Sequence, residues 1–589
     1  MRRQSVHALV LAFGLILLNS LAAFAEETAG VRYLTDLSHC QPPTALAPQA
    51  KKGCWQLVPY ETLVPHLTSG TMICAPSFID APDVTLPLGV TGWHSISIGF
   101  WNPHFVYDGG TTVKVKLNDD PCFTRISEPE PAANLPAMHA TYIKEARFKA
   151  ADLTGRTLQF GKVRGPFAKK AYIAYIKLVP LTDQEIAELE ADRAQKKTRV
   201  LQATIDGLSY FWRNEYQTRE HIMELIEPYR YSDVGKVIWA VSYGDLTNYP
   251  SNVGSYWARE RDVPITAASN SYLLGEQAAY QSLRALASNR IIPQAVAAEH
   301  AHSMGLKFDA MFRLSMLGSI PLTRNGGAFV KTHPQFRKVT QDGTPIQSGS
   351  YAFPEVRKLV VSIICETAET FDIDGVNLCF IRGPEFIAYE QPVLDDFRRE
   401  YKEDGRKVSF DDPRMRTIRC RYLNAFVREV RQALEEVSAR KGKSLELCAG
   451  IFGDPSKNLR HGIDAQHWIE QGWLDSVTSY AGPLNPELIA TAQTHGCEYV
   501  FAAIAANGND YAKGWHYSRS LGVDRFAIWD LDLLQDTPTL WPILRRAGHR
   551  QEVEAISKAD PVPLKTIQLK TIGGLDVRQG LWGAVYSGG

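Results

Sequence analysis

Phe371-Asp-Ile-Asp-Gly-Val-Asn-Leu-Cys-Phe-Ile-Arg-Gly-Pro-Glu-Phe-Ile-Ala-Tyr-Glu390 is the stretch on which the reading of the fold turns. It leaves a helix end, passes through a short apolar run and breaks at Gly383-Pro384 into a loop carrying acidic and aromatic groups. Side chains of a strand alternate between its two faces, so if Asn377 and Cys379 face one way, Val376, Leu378 and Phe380 face the other, where helices would cover them. A strand of this kind that ends in a loop rich in functional groups is the repeating unit of a parallel barrel, whose chemistry gathers at the C-terminal strand ends.

Outward from this stretch, strand-like runs alternate with helical ones. The runs are Ile205–Trp212, Val237–Tyr243, Leu306–Leu314, Gly375–Arg382, Leu445–Phe452, Ser476–Tyr480, Tyr499–Ala505 and Arg525–Leu531. Helices are expected between them, among them Pro354–Phe371 and Met415–Lys441. Eight such units predict an α/β fold, a (β/α)8 barrel with insertions, rather than an open sheet. No glycine fingerprint for nucleotide phosphates follows any strand, which speaks against a dinucleotide fold and a bound cofactor. The longest insertion, Asp245 to Ala287, contains Asn248-Tyr-Pro-Ser-Asn-Val-Gly-Ser-Tyr-Trp257 and is expected to roof the barrel mouth.

The flanks are of another kind. From Val31 to Pro180 short alternating runs such as Thr112-Val-Lys-Val-Lys-Leu117 are separated by turn residues, which predicts an all-β sandwich. Thr182-Asp-Gln-Glu185 is a capping box and opens a connecting helix. After Arg550 the chain returns to β-like runs too short to bury a core alone, so this tail should pack on the barrel or complete the sandwich. The expected divisions are a signal peptide over 1–25, the sandwich over 26–181, a linker helix over 182–200, the barrel over 201–550 and a β tail over 551–589.

Arg2-Arg3, the apolar run from Ala8 to Leu18 and Ala23-Phe24-Ala25 have the order of an export signal, so the protein is expected to be secreted or periplasmic. The apolar run falls short of the ~20 residues that span a bilayer, so no membrane association is expected after cleavage. Lys plus Arg equals Asp plus Glu at 64 each, and with no net field to attract a polyanion a nucleic-acid partner is not expected. The 12 Trp, 24 Tyr and 24 Phe suit stacking on sugar rings, although most must serve the core. Export allows one or two disulfides among Cys40, Cys54, Cys74 and Cys122, while Cys365, Cys379, Cys420, Cys448 and Cys497 read as buried thiols. No Cys or His spacing suits zinc, and His300 and His302 point apart on a helix, so no metal site is expected.

Phe371-Asp-Ile-Asp-Gly-Val-Asn-Leu-Cys-Phe-Ile-Arg382, the Pro354-Glu-Val-Arg357 helix start, His461-Gly-Ile-Asp-Ala-Gln-His-Trp468 and Gly472-Trp-Leu-Asp475 together resemble the secreted bacterial glycosyl-hydrolase-like barrels. The sandwich pattern is similar to the jelly-roll accessory modules attached to carbohydrate-active enzymes. The resemblance implies a carbohydrate substrate. It also marks a departure, because the fourth-strand position at which such barrels carry an Asp is Cys379 here.

Glycoside hydrolysis requires two carboxyl groups about the glycosidic oxygen. Acids expected at C-terminal strand ends are Asp245, Glu385, Asp454, Asp530 and Asp532. Glu385 is the expected proton donor and Asp454 its partner, with Asp532 in reserve; Asp245, Asn377, Arg382, Tyr243, Trp257, Tyr389, Tyr480 and Trp529 are expected to bind substrate. Asp309, four residues before Arg313 in the third strand, is expected to pair with it inside the barrel. The competing expectation is a non-catalytic polysaccharide-binding protein on a degenerate barrel.

Overall fold

Eight parallel strands close on one another in the computed structural model: β1 (Leu201–Ile205), β2 (Val234–Tyr243), β3 (Lys307–Arg313), β4 (Gly375–Cys379), β5 (Glu446–Phe452), β6 (Ser476–Tyr480), β7 (Glu498–Ala502) and β8 (Phe526–Trp529). β1 pairs with both β2 and β8, which completes the ring. The structure describes residues 30–103, 110–129, 141–165, 168–206, 211, 216–257, 271–316, 327–480, 482–503, 505, 508–534, 537, 540–558 and 566–577. The expected signal peptide lies outside these residues.

The alternation in the 371–390 stretch is realised. Val376, Leu378 and Phe380 join the large apolar cluster under the helices, and Cys379 packs inside the barrel with Ile238, Ala240 and Met311. The register sets Cys379 beside Arg313 of β3 and Gly450 of β5. β1 starts earlier than expected: Leu201–Ile205, all buried, bonds to the neighbouring strands on both sides, and the chain leaves the barrel at Asp206. Apolar alternation continues beyond that point in the sequence, and only the pairing distinguishes the two runs.

At the N-terminal end of the barrel Lys236 bridges Asp309 at 2.8 Å and Glu446 at 2.7 Å. The expected pairing of Asp309 with Arg313 is therefore corrected. Four residues along a strand span about 13 Å, so these two side chains share a face but sit in different layers of the interior. Burial raises the Asp309 carboxyl above the usual range against the pull of Lys236, while Lys236 is held charged by its acidic neighbours despite its own burial.

The N-terminal region has two layers, as a sandwich should, but one layer is closed. Strands Trp55–Thr62, Ser69–Ala75, Ala171–Pro180, Trp93–Trp101 and Tyr142–Asp152 pair in that order, and the tail strand Thr566–Ile572 bridges the last to the first. Its first half bonds to Tyr142–Lys144 and its second half to Tyr60–Thr62, so the strand removes two open sheet edges at once. The ring is filled by Tyr60, Met72, Trp101, Tyr175, Leu569 and Ile572. Its outer face packs on a four-stranded sheet through Ile96, Phe100, Val113 and Leu158.

Cys40, Cys54, Cys74 and Cys122 are buried free thiols, so the disulfides that export would allow are not formed. Cys40 lies in the core between the layers and Cys74 inside the ring, so the fold separates them. The Thr182 capping box forms as expected and starts helix Asp183–Ala194. Among the described residues no helix is long and apolar enough to cross a membrane.

Candidate active site

The mouth of the barrel is organised by Asp206, which sequence reading did not single out. It stands at the exit of β1, only 2% exposed. A carboxylate removed from water in this way is stable when cations and hydrogen bonds replace the lost solvation. Two guanidiniums supply them: Arg313 from the end of β3 bonds its Oδ2, and Arg382 from beyond β4 reaches the same oxygen at 3.1 Å. The Asp206 backbone N–H in turn donates to Asp530 Oδ1 at 3.1 Å, which ties the exits of β1 and β8 together. Asp530 has φ +52°, a left-handed conformation that costs a non-glycine residue and that persists where the surroundings enforce it.

Aromatic side chains support the two arginines. Arg313 lies 4.5 Å over the ring of Tyr243, and Arg382 lies 5.4 Å over Trp529, which meets Tyr480 edge-on at 5.3 Å. The Tyr480 hydroxyl shares a hydrogen bond of 3.1 Å with Thr204 Oγ1. The loop after β4 is pinned because Ser315 Oγ donates to the carbonyls of Arg382 at 2.6 Å and Gly383 at 2.8 Å. Gly383, at φ +66°, permits this approach, since a Cβ there would sit 2.1 Å from Ser315 Oγ.

Cys379 lies beneath this network, 1% exposed. Burial pushes its thiol up to about 11, against the opposing pull of Arg313 and Arg382. At neutral pH Cys379 is thus an uncharged group, and both arginines turn to Asp206.

The expected site residues are distributed unevenly. Tyr243, Arg382, Tyr480 and Trp529 meet around the Asp206 network, and Asn377 faces the interior one step below Cys379. Glu385 is exposed at φ +79°, with its carbonyl bonded by Lys338 Nζ. Asp454 is exposed and caps helix Pro455–Arg460, accepting from Ser456 N at 2.9 Å and Ser456 Oγ at 2.7 Å; these bonds hold its carboxyl below the usual range. The side chain of Asp532 lies outside the described residues, as do Trp212 and the segments 207–210, 317–326 and 535–536 that follow β1, β3 and β8.

Three others are held away from this network. Asp245 Oδ2 accepts from Phe329 N at 2.9 Å and anchors the insertion. Trp257 is buried edge-on to Tyr280 at 5.4 Å, and Tyr389 donates through its hydroxyl to Val408 O at 3.0 Å. Glu390 is 1% exposed and accepts from the Ala388 N–H at 2.9 Å; burial raises its carboxyl above the usual range.

Among the described residues two groups of side chains bring three metal-binding atoms together, Cys122 with Glu227 and His300, and Asp309 with Glu446 and Cys448. In each a protein cation already occupies the carboxylates: Arg230 grips Glu227 at 2.6 and 2.8 Å, and Lys236 bridges Asp309 and Glu446. These cations balance the charge in both groups, although Asp309 Oδ1 has no hydrogen-bond partner.

No curated protein matches the chain. Among solved structures it is similar to an alpha-L-fucosidase isoenzyme 2 from Paenibacillus thiaminolyticus, with 13% identity, 61% of this chain and 49% of that chain covered, and a TM-score of 0.39. The chain thus spans about half the length of that protein. It is also similar to the catalytic domain of a beta-amylase from Paenibacillus polymyxa, with 13% identity, 62% and 99% coverage and a TM-score of 0.39. A third likeness is to the PgaB (BpsB) glycoside hydrolase domain from Bordetella bronchiseptica, with 14% identity, 58% and 98% coverage and a TM-score of 0.35. Residues 290–481, which carry β3 to β6 and with them Arg313, Cys379, Arg382 and Tyr480, match the family described as Glycosyl hydrolase-like 10.

Proposed function

We propose that the protein is an exported glycoside hydrolase acting on an oligo- or polysaccharide at the C-terminal mouth of the barrel, with Asp206 and Asp530 as its carboxyl pair. The observation that carries the reading is Asp206, a buried carboxylate held between two arginines where barrels place their chemistry. Cations at this distance favour the ionised form, which suits the group that activates water or meets the developing positive charge on the sugar. Asp530, whose Oδ1 accepts from the Asp206 backbone N–H and whose backbone is held in a strained conformation, supplies the second carboxyl, which protonates the departing oxygen. Trp529 and Arg382 offer a ring and a hydrogen-bond donor at the same opening. Export rests on the Arg2-Arg3 and Ala23-Phe24-Ala25 pattern.

The test is a polysaccharide panel assayed for new reducing ends. Asp206→Asn and Asp530→Asn are each expected to lower the rate at least about 100-fold with the fold retained. Glu385→Gln and Asp454→Asn are run beside them; loss in these two with full activity in Asp206→Asn would return the chemistry to the loop acids. The neutral Cys379 favours a second reading, a barrel that binds polysaccharide without cleaving it. Binding of several glycans with no product from any of them would select that reading.

A further inference from the structure

Between the sandwich, the connecting helix and the barrel lies a cleft of about 920 Å3. Its acidic side chains are engaged: Lys149 holds Asp120, Arg156 holds Asp119, Arg546 holds Asp192 and Glu552, and Arg230 holds Glu227. Asp152, the remaining one, accepts from the backbone and hydroxyl of Thr154. Three arginines of the same cleft, Arg147, Arg193 and Arg545, have no carboxylate at salt-bridge distance among the described residues. Arg193 spends one nitrogen on Ala150 O at 2.7 Å, and its buried Nε has no partner. Burial and the neighbouring guanidiniums bring Arg545 down to about 10, the behaviour of a cation cluster short of an anion.

A second feature points the same way. Tyr231, at φ +57°, is 49% exposed, an unusual conformation for a bulky residue and an unusual place for its ring. Arg545 bonds the Tyr231 carbonyl at 3.3 Å, and Arg193 lies 4.3 Å over the ring, with Trp93 5.6 Å from the same guanidinium. The fold therefore maintains a strained backbone that sets an aromatic ring among unneutralised arginines, the arrangement expected of a ligand site rather than of packing. Aromatic rings suit the apolar faces of pyranoses, and guanidiniums match carboxylate or sulfate oxygens in pairs. Zero net charge over the whole chain argues against a long polyanion such as nucleic acid.

We propose that this cleft, remote from the barrel mouth, binds an acidic saccharide, with Tyr231 and Trp93 against its rings and Arg147, Arg193 and Arg545 on its carboxylate or sulfate groups. The proposal rests on the carbohydrate reading above and adds that the glycan is anionic.

Calorimetric titration of the full chain with hexagalacturonate, a sulfated oligosaccharide and cellohexaose tests it. Binding of one or both acidic oligomers, weakened by salt, is expected, and the stronger of the two assigns carboxylate or sulfate. Tyr231→Gly, which removes the ring and relieves the strained φ, and Arg147→Gln, at an exposed position, are each expected to weaken that binding at least tenfold. Arg440→Gln, which removes an exposed cation of the barrel outside the cleft, should leave it unchanged, and hydrolysis assayed on the cleft variants separates this proposal from the catalytic one. Absence of binding by both acidic oligomers, or equal binding in both cleft variants, would overturn it.

Discussion

Asp206 at the exit of β1 and Arg382 beyond β4 meet at 3.1 Å at the barrel mouth, from strands three places apart round the ring. The pair holds the loop after β4 against the opening, with Ser315 fixing its backbone. Arg382→Ala removes one of two guanidiniums from a buried carboxylate and is expected to destabilise the fold by about 1–3 kcal/mol. If Asp206 takes part in hydrolysis, the same change lowers kcat at least tenfold. Urea unfolding and steady-state rates on one preparation check both numbers.

Cys379→Asp separates the two functional readings. The new carboxylate would lie near Arg313 and Arg382 and draw them from Asp206. With Asp206 as the working acid, activity is expected to fall severalfold. A gain of hydrolysis in this variant would show that the natural chain binds without cleaving.

Lys236→Met removes the cation from a fully buried Asp309. Stranding a buried charge costs about 3–5 kcal/mol, and the double change with Asp309→Asn is expected to recover part of it. Denaturant midpoints of the single and double variants measure the coupling.

Stability should fall as the pH is lowered from about 6.5 to about 4. His461, buried beside Phe410 and Phe452 with Arg460 near, titrates only at about 4 in the fold because burial, then neighbouring cations, disfavours its charge. In this window the unfolded chain binds the extra proton, so stability rises with pH across it and is lost on acidification, by up to about 3 kcal/mol from this group. His461→Phe is expected to flatten the dependence; an unchanged slope in midpoints between pH 4 and 7 would show that His461 is not its source.

The alternation around Asn377 and Cys379 was enough to determine β4 and its two faces, because period-two burial is a local property of a strand in a parallel sheet, and eight strand–helix units along the chain gave the barrel. The capping box at Thr182 was legible for the same reason, since cap and partner lie three residues apart. Asp206 was not. Reading β1 as 205–212 put that residue at the start of a strand, the stabilising end, when the pairing of Leu201–Ile205 makes it the exit.

What only the tertiary structure decided are contacts between residues far apart in sequence. Asp206 acquires its cations from positions 313 and 382, the N-terminal ring is closed by a strand at 566–572, and Asp309 turns to Lys236 rather than to Arg313 on its own strand. Local pattern fixes which face of an element is buried. Which charges meet across the barrel depends on strand order, register and tilt, and these arise only when all eight strands close.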